Sequence, residues 1–247
     1  MHELALLKGA SKDCFALTRA PERCIPELMR PRAHNLISYS LALLVFVGVF
    51  LGRSALRGAS LSSLDPVVLL SASMWCFHFA RRAAESAWVH RYGKASVPMS
   101  DVVTEYIYYW GFAACNALSL TSTSYRAPSA WLVVLGSAVF VLAELGNAKA
   151  HRMLRALRPA GSKVRRIPRG FLFESVSSPH YLFEILSWVG FALVTETWAA
   201  RAFLVVGAGI LGAWAHARHA AYRKDFDGRE GRELYPASRR ALIPGLF

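Results

Sequence analysis

Residues 176–195 read VSSPHYLFEILSWVGFALVT and place three polar side chains at the start of a long apolar run. These side chains are His180, Tyr181 and Glu184. Pro179 favours a helix start, because proline is tolerated in the first helical turn. His180 and Glu184 are four residues apart and therefore share one face of that helix. The stretch predicts an apolar helix that turns a polar face away from its hydrophobic surroundings.

Similar apolar runs recur along the chain, in which 54% of the 247 residues are hydrophobic. Several runs have the length of a short membrane-spanning helix. Their repetition predicts an all-α fold, a polytopic transmembrane helical bundle with six spans over residues 36–247, or seven as the alternative. Residues 1–35 are expected to form a cytosolic N-terminal lead. The six runs are Leu36–Gly52, Leu64–Ala80, Tyr106–Leu120, Ala130–Gly146, Tyr181–Thr195 and Ala199–Ala215.

The net charge of +13 is distributed unevenly, and the distribution predicts topology rather than nucleic-acid binding. With a cytosolic N-terminus and six crossings, 25 of the 29 Lys and Arg residues fall on the cytosolic side. An excess of basic residues in cytosolic segments sets the orientation of membrane proteins. The four basic segments are 1–35, 81–105, 147–177 and 216–247.

Three other features of the sequence indicate no special chemistry. The four cysteines show no metal or disulfide spacing and are expected to be free thiols. Residues 207–212 read GAGILG, which fits a dinucleotide-binding pattern, but that pattern requires a preceding strand and a following acidic residue. Here it lies inside an apolar run, so close helix packing through small residues is the better interpretation. Residues 1–35 also lack the apolar core of a cleavable signal peptide.

A first polar cluster occurs in residues 78–91, HFARRAAESAWVHR. His78, Arg82 and Glu85 are spaced so that they share one helical face. Ionisable groups near membrane depth usually face a bundle interior or a water-filled cavity, and are candidates for function. A simple Arg82–Glu85 ion pair that anchors the helix at the interface is the alternative.

A second cluster lies in residues 144–158, ELGNAKAHRMLRALR, where Asn147, His151 and Arg158 line one face. Eight Lys or Arg residues and no acidic residue occur between Leu145 and Phe173. Such an uncompensated cationic segment predicts a polyanion site. Phosphates of a nucleotide cofactor and anionic lipid head groups both remain open as its ligand.

A third cluster joins His180, Tyr181 and Glu184 to the tail HARHAAYRKDF, which carries Tyr222. Taken alone, a tyrosine at a helix mouth is often an interfacial anchor, and a basic helix end complements the helix dipole. In the topology above, however, all three clusters reach the same cytosolic mouth. That convergence is typical of a membrane enzyme that uses a soluble anionic cofactor.

Several of these stretches resemble a known family. The segments LRPAGSKVRRIPRGFLF, VSSPHYLFEILSWVGFALVT, WAHARHAAYRKDF and YPASRRALIPGLF resemble the C-terminal half of the steroid 5-alpha-reductase superfamily. The segment VHRYGKASVPMSDVVTEYIYYWGFAA is similar to trans-2-enoyl-CoA reductases of very-long-chain fatty acid elongation. The likeness runs from about His78 to Phe247.

The resemblance implies a multi-pass protein of the endoplasmic reticulum membrane with its active site facing the cytosol. It implies that NADPH reduces a carbon–carbon double bond conjugated to a carbonyl. Tyr181 matches the tyrosine proposed as proton donor, and Glu184 matches the acidic position of the same helix, so the resemblance implies that both are catalytic residues. Whether Tyr181 or water supplies the proton stays open. The expected cofactor-binding residues are Arg82, Asn147, Arg158, Lys163, Arg166, His180 and Tyr222.

The sequence departs from the family pattern at several positions. Phe79 stands where a tyrosine often contacts the substrate carbonyl in the steroid branch, which weakens a steroid assignment. His180 replaces a common asparagine, His151 replaces an aspartate of the steroid branch, and residues 228–234 resemble an insertion. Six spans with a cytosolic N-terminus would correspond to loss of the family's first span.

The leading hypothesis is therefore an NADPH-dependent enoyl-CoA reductase. Its expected partners are an acyl-CoA substrate, membrane lipid and other enzymes of fatty acid elongation, and no nucleic acid is expected. One alternative within the same class is a 3-oxo-steroid 5-alpha-reductase or polyprenal double-bond reductase. An alternative of another class is a non-catalytic lipid-binding membrane scaffold.

Overall fold

The structure, a computed structural model, describes residues 29–92, 96–159 and 165–247. Within these ranges the protein is all-helical, with two short 3-10 turns and isolated β-bridges in place of any strand ladder. Each of the six apolar runs corresponds to one helix, as predicted, and the second run begins two residues before its helix. The helices are α1 Pro31–Leu56, α2 Pro66–Trp88, α3 Met99–Leu120, α4 Ala130–Leu157, α5 Pro179–Thr195 and α6 Trp198–Asp225.

Three of the helices, α1, α4 and α6, are long and apolar enough to cross a membrane. They have 26, 28 and 28 residues, so each exceeds the roughly 20 residues that a bilayer core requires. Helix α4 continues from the end of its apolar run at Gly146 to Leu157, and this extension carries His151 out of the apolar region. The chain is thus a helical protein with three candidate membrane spans in its described part.

An aromatic core joins four of the helices. Trp75 of α2 is fully buried, and its ring centroid lies 5.2 Å from that of Phe46 on α1 and 4.8 Å from that of Phe79. Trp188 of α5 and Phe203 of α6 complete the cluster, each with its ring centroid 5.5 Å from that of Trp75. Such tilted and offset aromatic pairs stabilise a core beyond simple area burial.

Helices α4 and α5 pack with their backbones in contact. The contact depends on two glycines, because a Cβ atom on Gly190 would lie 2.6 Å from both the Gly136 carbonyl oxygen and the Phe140 nitrogen. Small residues of this kind permit close helix approach in membranes. The close packing fixes Asn147 on α4 relative to His180 at the start of α5.

The described parts of the four basic segments meet at one end of the bundle. A β-bridge joins Met29 to Val97, which connects the first segment to the second. Arg91 and Arg158 each donate a hydrogen bond to the other's carbonyl oxygen, which connects the second to the third. An ion pair between Arg165 and Asp225 connects the third to the fourth. The end at which these segments meet is called the basic end below.

The C-terminal segment braces the chain that leads into α5. Arg239 is 1% exposed and donates hydrogen bonds to the Pro168 carbonyl oxygen at 2.8 Å and to a Glu174 carboxylate oxygen at 2.9 Å. Backbone hydrogen bonds also join Arg240 to Ser175 and Ser177. The tail therefore holds the loop from which His180 and Tyr181 emerge.

The interpretation of the GAGILG segment is confirmed in part. It lies in the middle of α6, and no strand precedes it within the described ranges. Gly207 packs against the Tyr108 hydroxyl of α3, whereas a Cβ atom on Gly209 or Gly212 would meet no described atom within 4 Å. Close helix packing thus accounts for the first glycine only. Cys76 and Cys115 are free, as predicted, and Cys14 and Cys24 lie outside the described residues.

Candidate active site

The carboxylate of Glu184 has three partners at the basic end. Its side chain is almost fully buried, and His78 Nε2 of α2 lies 3.1 Å from Oε1. Asn147 Nδ2 of α4 donates to Oε2 at 3.0 Å, and Arg82 Nε lies 3.8 Å away. Because a buried charge requires such partners, the polar face of the stretch that begins α5 is accounted for by contacts inside the bundle.

Asn147 connects α4 to the first turn of α5. It is fully buried, and its Nδ2 also donates to the His180 carbonyl oxygen at 2.7 Å. Three expected site residues, Asn147, His180 and Glu184, are therefore in direct contact. Their side chains come from two helices, and the close packing at Gly136 and Gly190 determines their separation.

A second buried carboxylate, Glu144, was not identified from the sequence. Its Oε1 lies 2.7 Å from His78 Nδ1, and Arg81 Nε donates to its Oε2 at 2.6 Å. His78 therefore bridges Glu144 and Glu184. Glu144 lies inside the fourth apolar run, and an ionisable residue at membrane depth is a functional candidate by default. Its position in the sequence could therefore have identified it.

Arg82 organises the part of the network nearest the basic end. Its contact with Glu85, at 2.8 Å, confirms the proximity that their spacing predicted. The guanidinium also donates to the Tyr39 hydroxyl of α1 at 3.1 Å. His151 Nδ1 lies 2.8 Å from a Glu85 oxygen and 3.1 Å from Arg82 Nη1. The predicted ion pair is thus one part of a network that joins α1, α2 and α4.

Glu85, His90 and His151 offer ligand atoms that all lie within 4.8 Å of one another, a spacing suited to a metal ion. The Arg82 guanidinium already contacts two of these three groups. A bound cation would meet its positive charge at close range, so we interpret the group as a hydrogen-bonded cluster. His90 lies beyond the end of α2, and burial, reinforced by Arg82 and His151, lowers its pKa to about 3.

Tyr181 contacts α6 through a residue that the sequence did not single out. Arg218 Nη2 donates to the Tyr181 hydroxyl oxygen at 2.9 Å, and its guanidinium carbon lies 5.1 Å from the ring centroid. On the other side, the Tyr181 and His180 ring centroids are 4.2 Å apart. In the sequence, the only signal for Arg218 was the basic composition of the C-terminal end of α6.

Those of the remaining expected residues that the structure describes lie toward the rim of the basic end. Arg158 is the first residue after α4 and follows Asn147 by eleven residues, which corresponds to about 16 Å along the helix axis. Arg166 is exposed, and Lys163 lies outside the described residues. Tyr222 stacks on Tyr235 with ring centroids 5.4 Å apart. Arg158 is therefore not in one cluster with Asn147, and an elongated ligand would be needed to contact both residues.

Several buried polar atoms near Asn147 have no hydrogen-bond partner among the described residues. They are Asn147 Oδ1, Ser178 Oγ, His180 Nδ1 and Arg81 Nη2. A buried unpaired polar atom costs about 1–3 kcal/mol, so such a group is a natural contact for a polar ligand. The site therefore combines unpaired polar atoms at its inner end with cations at its rim. A dinucleotide with a polar ring at one end and phosphates along its length fits this arrangement.

The chain is similar to known proteins. A family model described as 3-oxo-5-alpha-steroid 4-dehydrogenase matches residues 96–247. The very-long-chain enoyl-CoA reductase of Dictyostelium discoideum is 38% identical over 70% of this chain and 56% of its own length. A probable very-long-chain enoyl-CoA reductase of Caenorhabditis elegans is 35% identical over 74% of this chain and 60% of its own length.

A plant relative represents the steroid branch. The steroid 5-alpha-reductase of Solanum lycopersicum is 31% identical over 74% of this chain and 71% of its own length. The chain spans a little over half the length of the first two relatives that it matches. The matched part includes α3 to α6 and the loop that carries the cationic segment.

Proposed function

The chain belongs to the 3-oxo-5-alpha-steroid 4-dehydrogenase family, and we propose that it is a membrane reductase that uses NADPH to reduce the 2,3 double bond of a trans-2-enoyl-CoA in fatty acid elongation. One observation carries the proposal: Asn147 donates to both His180 and Glu184, which joins residues from separate motifs at one end of the bundle. Curated relatives named enoyl-CoA reductase support the substrate class.

We assign cofactor binding to two groups of residues. Arg82, Asn147 and His180 form the inner group, because they lie beside the unpaired polar atoms. The outer group provides cations for phosphates and an aromatic ring, and consists of Arg158, Lys163, Arg166 and Tyr222. When bound, NADPH supplies a hydride to the conjugated double bond of the substrate.

Tyr181 is the candidate proton donor. Because Arg218 donates to its hydroxyl oxygen, the tyrosine's own hydrogen must point elsewhere and is free to reach a substrate carbon. The same guanidinium balances the negative charge left on the oxygen when the proton departs. Arg218 therefore both orients the donor and stabilises its product.

Glu184 has a supporting part in this proposal. Its two oxygens are occupied by His78 and Asn147, so it is not free to abstract or deliver a proton without breaking these contacts. We assign it to positioning Asn147, which holds the first turn of α5. This changes the expectation that Glu184 takes part directly in the chemistry.

In the proposed topology, the chain crosses the endoplasmic reticulum membrane six times, with the basic end in the cytosol. The meeting of four basic segments at one end supports this orientation, because basic segments remain on the cytosolic side. A soluble dinucleotide and a coenzyme A thioester then have access to the site from the cytosol. Membrane lipid surrounds the apolar helices, and other enzymes of fatty acid elongation are the proposed partners.

A second candidate is reduction of a 3-oxo-steroid, favoured by the tomato steroid 5-alpha-reductase among the relatives. Against it, Phe79 is fully buried between Trp75 and Tyr109 and has no hydroxyl to offer a substrate carbonyl. Phe79 weakens the steroid candidate more than the enoyl-CoA candidate.

The proposal is tested by a substrate panel in membranes that contain the protein. NADPH is added with a long trans-2-enoyl-CoA, a 3-oxo-steroid or a polyprenal, and its loss is followed at the nicotinamide absorbance band. Membranes that contain the Asn147→Ala variant serve as the matched control. We expect oxidation with the enoyl-CoA. Oxidation with the steroid alone would support the second candidate, and none with any substrate would indicate a non-catalytic lipid-binding scaffold.

A further inference from the structure

An apolar groove lies between α2 and α4, next to the buried ionic network and on the side away from the basic end. It has a volume of about 310 Å³, and almost all of its exposed lining is apolar. Met74 and Phe140 form its buried floor, and Leu70 and Val141 contribute to its walls. On α4 the groove extends from Ser137 to Leu145, which corresponds to about 12 Å along the helix.

The groove ends at the candidate active site. Glu144 lines the end of the groove nearest the basic end, where His78 and Arg81 of α2 bind the carboxylate and connect the two helices. His78 contacts Glu184 with its other ring nitrogen. Asn147 follows Glu144 by three residues, one helical turn nearer the basic end. The groove and the polar site are thus contiguous along α4.

We propose that this groove binds the acyl chain of the substrate, an inference that rests on the proposed function. A 2-enoyl thioester carries its reactive double bond next to an anionic head and a long apolar tail beyond it. With the head at the basic end, the tail must leave in the direction of the apolar bundle. The groove between α2 and α4 begins at that point and continues away from the basic end.

Selection of a chain in this groove depends on shape. An acyl chain that moves from lipid into an apolar groove gains no hydrophobic free energy, because both surroundings are apolar. Its binding therefore depends on van der Waals fit to the floor and walls. Bulk added at Ser137, which is half-buried and lines the groove, should exclude long chains and leave short ones unaffected.

The first experiment compares Ser137→Leu with Ala138→Leu, an exposed neighbour that does not line the groove. For Ser137→Leu we expect about a tenfold loss of kcat/KM with an octadecenoyl-CoA. Activity with a hexenoyl-CoA and the apparent constant for NADPH should stay unchanged. Equal effects on both chain lengths, or the same loss in Ala138→Leu, would overturn the proposal.

The second experiment does not depend on turnover. A saturated long-chain acyl-CoA with a photoreactive diazirine near its tail end is cross-linked to the wild-type protein in membranes. We expect labelled peptides from α2 and α4, and competition by unlabelled acyl-CoA but not by phospholipid. Labelling elsewhere, or equal competition by phospholipid, would overturn the acyl-chain site. Specific labelling without reductase activity would instead contradict the proposed function and leave the groove assignment intact.

Discussion

Arg218 on α6 donates a hydrogen bond to the hydroxyl oxygen of Tyr181 on α5, with Nη2 and Oη 2.9 Å apart. The bond connects the last helix to the start of the helix that carries Glu184. It leaves the tyrosine's hydrogen free for another acceptor, because a guanidinium donates hydrogen bonds and accepts none. Two predictions follow from this geometry.

Replacing Tyr181 by Phe should abolish proton donation and preserve the shape of the site. We expect turnover to fall by about 10²-fold or more, the usual contribution of a positioned general acid. NADPH affinity, measured by quenching of tryptophan fluorescence, should change little. Unchanged turnover would remove Tyr181 from its proposed role and leave water as the proton source.

Replacing Arg218 should affect the rate rather than cofactor affinity, because its described hydrogen bond is to Tyr181. We expect Arg218→Met to lower kcat about tenfold, since a hydrogen bond to a charged group contributes about 1.5–3 kcal/mol. Arg218→Lys keeps the charge and should restore part of the rate. Equal rates for the Met and Lys variants, measured across a pH series, would contradict the positioning role.

Replacing Arg158 tests the rim of the site. Arg158→Ala should raise the apparent NADPH constant by about tenfold, through loss of a cation that pairs with phosphate. Arg155→Ala is the matched control, because Arg155 is exposed on the same helix end. If both variants keep the wild-type constant but bind anionic vesicles less tightly, the cationic segment recognises lipid head groups instead.

His90 makes the stability of the folded protein depend on pH, and the sign of this dependence follows from the direction of its pKa shift. Its pKa falls from 6.5 to about 3 through burial and the charges of Arg82 and His151, against the opposing influence of Glu85 and Glu184. Below pH 6.5 the unfolded chain therefore takes up a proton that the folded chain does not. Stability should fall as the pH drops from 6.5 toward 3, by at most about 1.4 kcal/mol per pH unit from this residue.

The check is thermal unfolding in detergent at a series of pH values from about neutral downward. His90→Gln lacks the titrating group and should show a flatter decline in melting temperature than the wild type. Parallel curves for the two proteins would mean that His90 does not carry this dependence. The comparison isolates His90, because both proteins keep all other titrating residues.

The helices and the location of the polar groups could be predicted because both leave periodic signals in the sequence. The apolar runs predicted all six helices, and the four-residue spacing of His180 and Glu184 predicted that they share one helical face. The family resemblance added a cofactor and a reaction, which spacing alone leaves open. The partners of Glu184 could not be predicted, because they depend on how α2 and α4 approach α5.

Contacts between distant segments account for what the sequence did not reveal. Tyr39 binds Arg82 across 43 positions and Arg218 binds Tyr181 across 37, and neither pair has a local pattern. Glu144 had a signal in its apolar run, but its pairing with His78 required the helix arrangement. The groove between α2 and α4 is likewise a property of packing, visible only when both helices are placed.

Gly190 tests the helix packing that brings the site together. A Cβ atom there would lie 2.6 Å from the backbone of Gly136 and Phe140, so Gly190→Ala must push α4 and α5 apart. We expect a loss of about 1–3 kcal/mol in stability, the usual range for overpacking. The apparent NADPH constant should rise as well, because Asn147 would move relative to His180.

Gly209→Ala is the matched control, because a Cβ atom on Gly209 meets no described atom within 4 Å. Alanine at this helical position should stabilise α6 by roughly 0.5–1 kcal/mol, since glycine loses more backbone freedom on folding. Melting temperatures in detergent and NADPH titrations are measured for both variants. If Gly190→Ala has the same melting temperature as Gly209→Ala and keeps wild-type cofactor affinity, the close α4–α5 contact does not position the site. Asn147 must then be held by its hydrogen bonds to His180 and Glu184 alone.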